Sequence, residues 1–272
     1  MPERVKLARV GGGRHRARMN EPMAALVRRH DPDRFLTALF APPDKRDALL
    51  TLYAFNHELA RAREAVSEPP LALVRLHWWR EVVEGAPRRH EVADPLRRAL
   101  DSGALEPADL LAMIDAREAE AEDGFATEAV WRAYLDACAG GLAVAAARLL
   151  GAPDPEVLRL PGAAYGVAGI LRSVAVHARQ GRCLLPHDRL RRHGIVPEQV
   201  IRRPEAAKPV VRELADLALG WLRPLRLPRR EVAAGLPAVL ARRDLHRAPT
   251  FPAWRGIGDR LAVVRAGLTG RI

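Results

Sequence analysis

The chain has 272 residues, of which 49% are hydrophobic, enough to bury one large core or two small ones and too many for a disordered polymer. Its 44 basic residues outweigh 33 acidic ones, for a net charge of +11, a balance that raises nucleic acid or an anionic surface as partner. Only Lys6, Lys45 and Lys208 are lysines, however, and the arginines spread evenly along the chain beside abundant Ala, Pro and Gly. That spread reads as genomic base composition rather than a stripe that tracks phosphates, so no nucleic-acid partner is expected.

Cys138 and Cys183 fit no ligand spacing and point to core packing in a reducing compartment. Every apolar run is interrupted by Arg or Asp, so no membrane span is expected. Residues 1–22 form a basic, Gly-containing segment without the apolar core of a secretory signal. It is expected to be a disordered tail, a basic organelle-targeting peptide, or the product of a misassigned start with Met19 or Met23 as the true one. The folded domain is then expected over 23–272.

In chain order, helical periodicity begins near Pro32, with Asp33 ahead of "RFLTALFA". Pro42-Pro43-Asp44 opens a long helix with a stripe of Leu49, Leu52, Tyr53, Phe55 and Leu59, stopped by Pro69-Pro70. The next helix carries Leu73, Leu76, Trp78, Trp79 and Val82 and ends at Gly85. Gly and Pro then separate helices expected at about 91–102, 107–121, 126–150, 155–179, 197–222, 229–242 and 254–268. Small apolar residues between Gly140 and Gly151 suit a buried central helix. Nothing alternates with a period of two, so the fold class is all-α.

Two segments carry the most specific pattern. "LYAFNHELARAREAV" at 52–66 and "GILRSVAVHARQGRCLLPHDRL" at 169–190 resemble the squalene and phytoene synthase family of head-to-head prenyltransferases. Milder similarity at Arg34-Phe35, Lys45-Arg46, Trp79 and "YLDACAGGL" extends the resemblance over roughly 32–195. It implies a single isoprenoid-synthase-type helical bundle with a central pocket. In active members the pocket holds aspartates one helical turn apart on two facing helices. Tyr53-Ala54-Phe55 is kept here, but the carboxylate positions that follow carry Ala60, Arg61 and Glu64; those of the second segment carry Ser173 and His177.

Such carboxylates would hold Mg²⁺ against a diphosphate leaving group, and a hard cation needs the oxygen ligands that Ala60 and Ser173 do not supply. Arg61 would add repulsion if it faced the same space. His177 lacks a second ligand at useful spacing and reads first as a polar helix residue. Glu64 and Glu68 are an i, i+4 pair at a helix end, read first as solvent-facing and second as a displaced metal site. No metal and no cofactor are expected, with Mg²⁺ needed only if the chain turns over. The family arginines Arg172, Arg179 and Arg182, with Arg61 and Tyr53, are candidates for holding a prenyl phosphate or anionic lipid without metal. Salt bridges to Glu58, Glu64 or Asp188 are the equal alternative.

Within the family, "AFNHELARAREAVSEP" and "LRLHWWREVVE" resemble a non-catalytic branch containing the mitochondrial assembly factor of respiratory complex I and its bacterial relatives. That resemblance implies partners among complex I subunits or assembly intermediates. It also implies a cytoplasmic location, peripheral on the inner membrane, or on the matrix side in a eukaryote. The alternative is a divergent prenyltransferase that condenses prenyl diphosphates in squalene or phytoene biosynthesis. A membrane surface is a further partner to consider: Phe251, Trp254, Ile257, Leu261, Val264 and Leu268 recur at near-helical spacing beside Arg255, Arg260 and Arg265. Such a stripe reads first as core and second as membrane contact.

Overall fold

The computed structural model describes residues 21–64, 66, 69–121 and 124–272, with the backbone alone at Glu21, Glu64, Pro69 and Ala121. The expected N-terminal tail lies, apart from Glu21 and Pro22, outside the described residues. Among them the fold is all-α, with isolated pairings Phe125 to Pro186 and Arg226 to Arg271 and no strand. No helix of the described residues is long and apolar enough to cross a membrane.

The chain opens with α1 (Glu21–His30) and α2 (Pro32–Ala38), the latter capped by the Asp31 carboxylate on the Arg34 amide at 2.9 Å. α3 (Pro43–Glu64) follows, and its residues Leu49 to Asn56 are all buried. It is therefore enclosed on nearly every side, not along one stripe, because α1, α4 (Pro69–Val83), α5 (Ala93–Asp101) and α8 (Gly141–Leu149) all pack on it. Pro69 and Pro70 begin α4, where prolines suit a first turn whose amides have no partners. Trp79 is buried against Phe55, and Trp78 is half-buried on the neighbouring face.

α6 (Pro107–Glu118) leads through a 3₁₀ turn at Ala119–Ala121 to α7 (Glu128–Leu135). A π-helical turn at Asp136–Gly140 joins α7 to α8, so the expected helix over 126–150 is continuous but locally widened. The turn presses on α9 (Arg159–Arg172): a Cβ at Gly162 would lie 2.5 Å from Ala143 Cβ and 2.7 Å from the Ala139 carbonyl oxygen. Only glycine permits this approach.

Two expected helices are broken. Ser173, at φ −97° and ψ 7°, leaves the helical region and separates α9 from α10 (Val174–Arg179). Pro204 bars Arg203 from helical geometry and divides the segment into α12 (Pro197–Arg202), a 3₁₀ turn and α13 (Lys208–Leu219). Between the two breaks lies the short α11 (His187–Arg192). α14 (Val232–Arg247) is buried along most of its length against α9 and α13, and α15 (Ile257–Thr269) closes the fold on its outer side. One hydrophobic core gathers α1, α3 to α6 and α8; a second gathers α7, α9 and α11 to α13; α14 contributes to both, and Tyr165 touches both.

Candidate functional site: a cavity at the former carboxylate positions

A cavity of about 280 Å³ lies between α3 on one side and α7, α9 and α10 on the other. Ala60 of α3, Ser173 at the break and His177 of α10 all line it, so three of the residues singled out from two distant segments share one space. Glu64 is the last residue of α3, and its side chain lies outside the described residues, as does Glu68.

The other candidates scatter. Arg61, one position past Ala60, is rotated off the cavity wall; it is 46% exposed and lies 3.6 Å from Glu58. The repulsion expected of it inside the pocket is therefore not there, since about 100° separates consecutive residues on a helix. Arg172 turns away to Asp244, at 2.9 Å. Arg179 is exposed at the end of α10 and does not line the cavity. Tyr53 is buried behind it, lining a smaller void with Arg34 and Tyr165; burial pushes its phenol up to about 12, against the pull of Arg34. Of the named cations, Arg182 alone lines the cavity, and its guanidinium donates to the Glu120 carbonyl at 3.3 Å.

Sequence reasoning missed several wall residues: Arg34, Arg117, Glu120, Tyr134, Tyr165, His30 and His57. Both carboxylates in the described wall are already committed. Asp31 takes Arg34 at 2.8 Å, and Glu120 accepts Arg117 at 2.7 Å and the Tyr134 hydroxyl. Arg34 stands over the rings of Tyr165 (4.7 Å) and Tyr53 (5.7 Å). A signal for Arg34 was present in the Arg34-Phe35 similarity; for Arg117 and Glu120 there was none.

His177 and His57 are both shifted towards the neutral form. Burial lowers His177 to about 4, helped by the charge of Arg182, and its Nδ1 is buried without a hydrogen-bond partner. His57 is stacked on His30 at 4.5 Å; burial and then the charge of His30 lower its pKa, and its buried Nε2 also lacks a partner. Cys138 on the same wall is pushed up to about 12 by burial, which makes it a thiol and not a nucleophile.

Magnesium, which the family's chemistry uses, does not fit this donor set. The cation wants hard, charged oxygens. Among the described residues the wall offers two carboxylates, each spent on an arginine, and a neutral imidazole, a hydroxyl and a methyl group where the family places acids. No three His, Cys, Asp or Glu side chains of the described residues converge at metal-binding distance. Three guanidinium groups, those of Arg34, Arg117 and Arg182, line the same wall.

An ionic network outside the cavity ties α2, α9 and α14 to the segment that leads into α15. Asp244 of α14 accepts Arg172 at 2.9 Å and Arg255 at 2.5 Å, and Arg255 also grips Asp33 at 2.7 Å. Burial works against the charge of Arg255, and its hydrogen bonds to Asp33 and Asp244 overcome that, so its pKa is raised. Asp259 of α15 is held by Arg247 (2.7 Å) and Arg243 (2.5 Å), which keep it well below the usual carboxylate range.

Comparison with known proteins places this architecture. A dehydrosqualene synthase structure superposes with a TM-score of 0.66 at 16% identity, covering 90% of this chain and 94% of that one. A squalene synthase from Alicyclobacillus acidocaldarius gives 0.60 at 18%, covering 92% and 93%. The fold is thus of the isoprenoid-synthase type. Curated relatives named "NADH dehydrogenase (ubiquinone) complex I, assembly factor 6" are 29% identical over 226 residues in Mus musculus and 28% over 186 in Homo sapiens. The Drosophila melanogaster homolog is 27% identical over 218 residues. These alignments cover 79%, 65% and 75% of this chain, and the chain spans 68%, 56% and 65% of those relatives. The match to the squalene/phytoene synthase family runs over residues 27–256, well past the 32–195 seen in the motifs, and the chain belongs to that family.

Proposed function

We propose that this chain is a non-catalytic member of the squalene/phytoene synthase family that acts in the assembly of respiratory complex I at the inner face of the membrane. The observation that carries the first half is the cavity wall: Ala60, Ser173 and a neutral His177 stand where ionisation of a diphosphate would call for metal-binding carboxylates. The second half is supported by relatives that carry the assembly-factor name across most of this chain. In this reading complex I subunits or assembly intermediates are the protein partners. The cavity, with Arg34, Arg117 and Arg182 on its wall, holds a prenyl phosphate or another anionic lipid headgroup without breaking it down.

Purified protein given farnesyl or geranylgeranyl diphosphate and Mg²⁺ is expected to release no pyrophosphate above a boiled control. The same diphosphates are expected to raise the melting temperature with EDTA present, through binding to the native state alone. Arg182→Ala should shrink that rise and Arg172→Ala should not, since Arg172 serves Asp244. Metal-dependent turnover that disappears in Glu64→Gln would establish the divergent prenyltransferase instead.

A further inference from the structure

Phe251 at the head of the C-terminal stripe is half-buried against the second core, but the rest of the stripe is not core. Trp254, Ile257, Leu261 and Leu268 are 85%, 78%, 61% and 64% exposed, with Val264 between them at the edge of exposure. From Ile257 the spacing runs four, three and four residues, which keeps one apolar line along a helix of about 20 Å. The opposite face of α15 is firmly seated: Asp259, Val263, Ala266 and Gly267 are buried, and a Cβ on Gly267 would come 2.4 Å from the Phe40 ring. The helix therefore cannot rotate its apolar line inward.

The exposed charge of this segment has one sign, and two acids of the groove beside it, Asp31 and Asp33, are half-buried and paired with Arg34 and Arg255. Residues 248–272 contain a single acid, Asp259, which is buried and bound by Arg243 and Arg247. Arg260, Arg265 and Arg271 are exposed, and Arg28 and Arg260 share with Trp254 a groove of about 630 Å³ beside the stripe. A second copy of the chain would set these exposed arginines against each other, with the nearby Asp31 and Asp33 already taken by Arg34 and Arg255. An apolar line with a leading tryptophan and exposed arginines at its flanks matches the boundary between headgroups and acyl chains of an anionic bilayer.

We propose that the outer face of α15, with Trp254, docks on an anionic lipid bilayer. Trp254, Ile257, Leu261 and Leu268 enter the headgroup boundary, and Arg260, Arg265 and Arg271 meet lipid phosphates. The proposal deepens the membrane location of the assembly role, yet it is measured on the purified chain, so its failure leaves complex I assembly to its own test.

The full chain is sedimented with vesicles of phosphatidylcholine, with or without about one-third phosphatidylglycerol. Binding to the anionic vesicles is expected to exceed that to neutral ones by roughly tenfold or more, and to fall at about 0.5 M salt. Ile257→Ser with Leu261→Ser, which alters no charge, should weaken it about tenfold or more, and Ile257→Glu with Leu261→Glu further still. Val130→Glu with Leu160→Glu, at exposed apolar residues elsewhere, should cost far less, with the melting temperature unchanged in every variant. Absence of vesicle binding, or equal loss from the two Glu pairs, would overturn the proposal. So would a lipid-free dimer that Leu261→Glu dissociates, which would assign the face to a second copy.

Discussion

Asp244→Asn is the most informative test of the ionic network that ties α2, α9 and α14 together. The side chain of Asp244 is 1% exposed and lies 2.9 Å from Arg172 and 2.5 Å from Arg255, whose own side chains are 22% and 14% exposed. Removing one partner of a buried ion pair typically costs about 3–5 kcal/mol, because the remaining charge is stranded. Here Arg255 keeps Asp33 and Arg172 reaches some solvent, so the expected cost is about 2–3 kcal/mol. For a domain of this size each kcal/mol moves the melting temperature by about 2–4 °C, so the variant should melt about 4–12 °C lower. Thermal unfolding followed by circular dichroism reads this directly. In an Arg172→Gln background the same substitution should cost less, since one stranded cation is already gone. A drop of under about 1 °C, or an undiminished cost in the double variant, would refute the view that the carboxylate is the hinge of the network.

Two further outcomes follow from the packing and the titration of the site. Gly162→Val should lower stability by about 2 kcal/mol or more in urea unfolding, because its side chain would enter the space of Ala143 and the Ala139 carbonyl; an unchanged midpoint would mean that α9 and the π-helical turn can separate. His177 titrates at about 4 when folded and at about 6.5 when unfolded, so the unfolded chain takes up the proton first. Stability should then be fully present above pH 6.5 and fall as pH drops towards 4, and His177→Gln should flatten that limb in a pH series of denaturation midpoints.

The all-α class and the residue types at the former carboxylate positions were legible because they rest on local signals. Proline and glycine mark the helix ends, and the missing acids are visible as residue types at Ala60, Ser173 and His177. What a cation does is not local. Arg172 finds Asp244 across 72 residues, and Arg61 leaves the wall because one helical step turns it towards Glu58, so a row of arginines in the motif does not become a row in the pocket. The break at Ser173 was hidden in a run whose periodicity continues through it, whereas Pro204 carried a break signal that the helix expected over 197–222 passed over. The α15 stripe shows the limit of periodicity most clearly. Spacing identifies an amphipathic helix but not which face the rest of the chain covers; Arg243 and Arg247 capture Asp259 and pull the polar side inward.

The central claim, a prenyltransferase fold turned to complex I assembly without prenyl transfer, is tested most directly by deleting the encoding gene and measuring assembled complex I beside the cell's prenyl products. Assembled complex I and NADH-driven respiration are expected to fall while carotenoid, squalene and hopanoid levels hold steady, and His177→Ala is expected to restore complex I as well as the unaltered chain does. Loss of a prenyl product with normal complex I would contradict the account and return the cavity to catalysis.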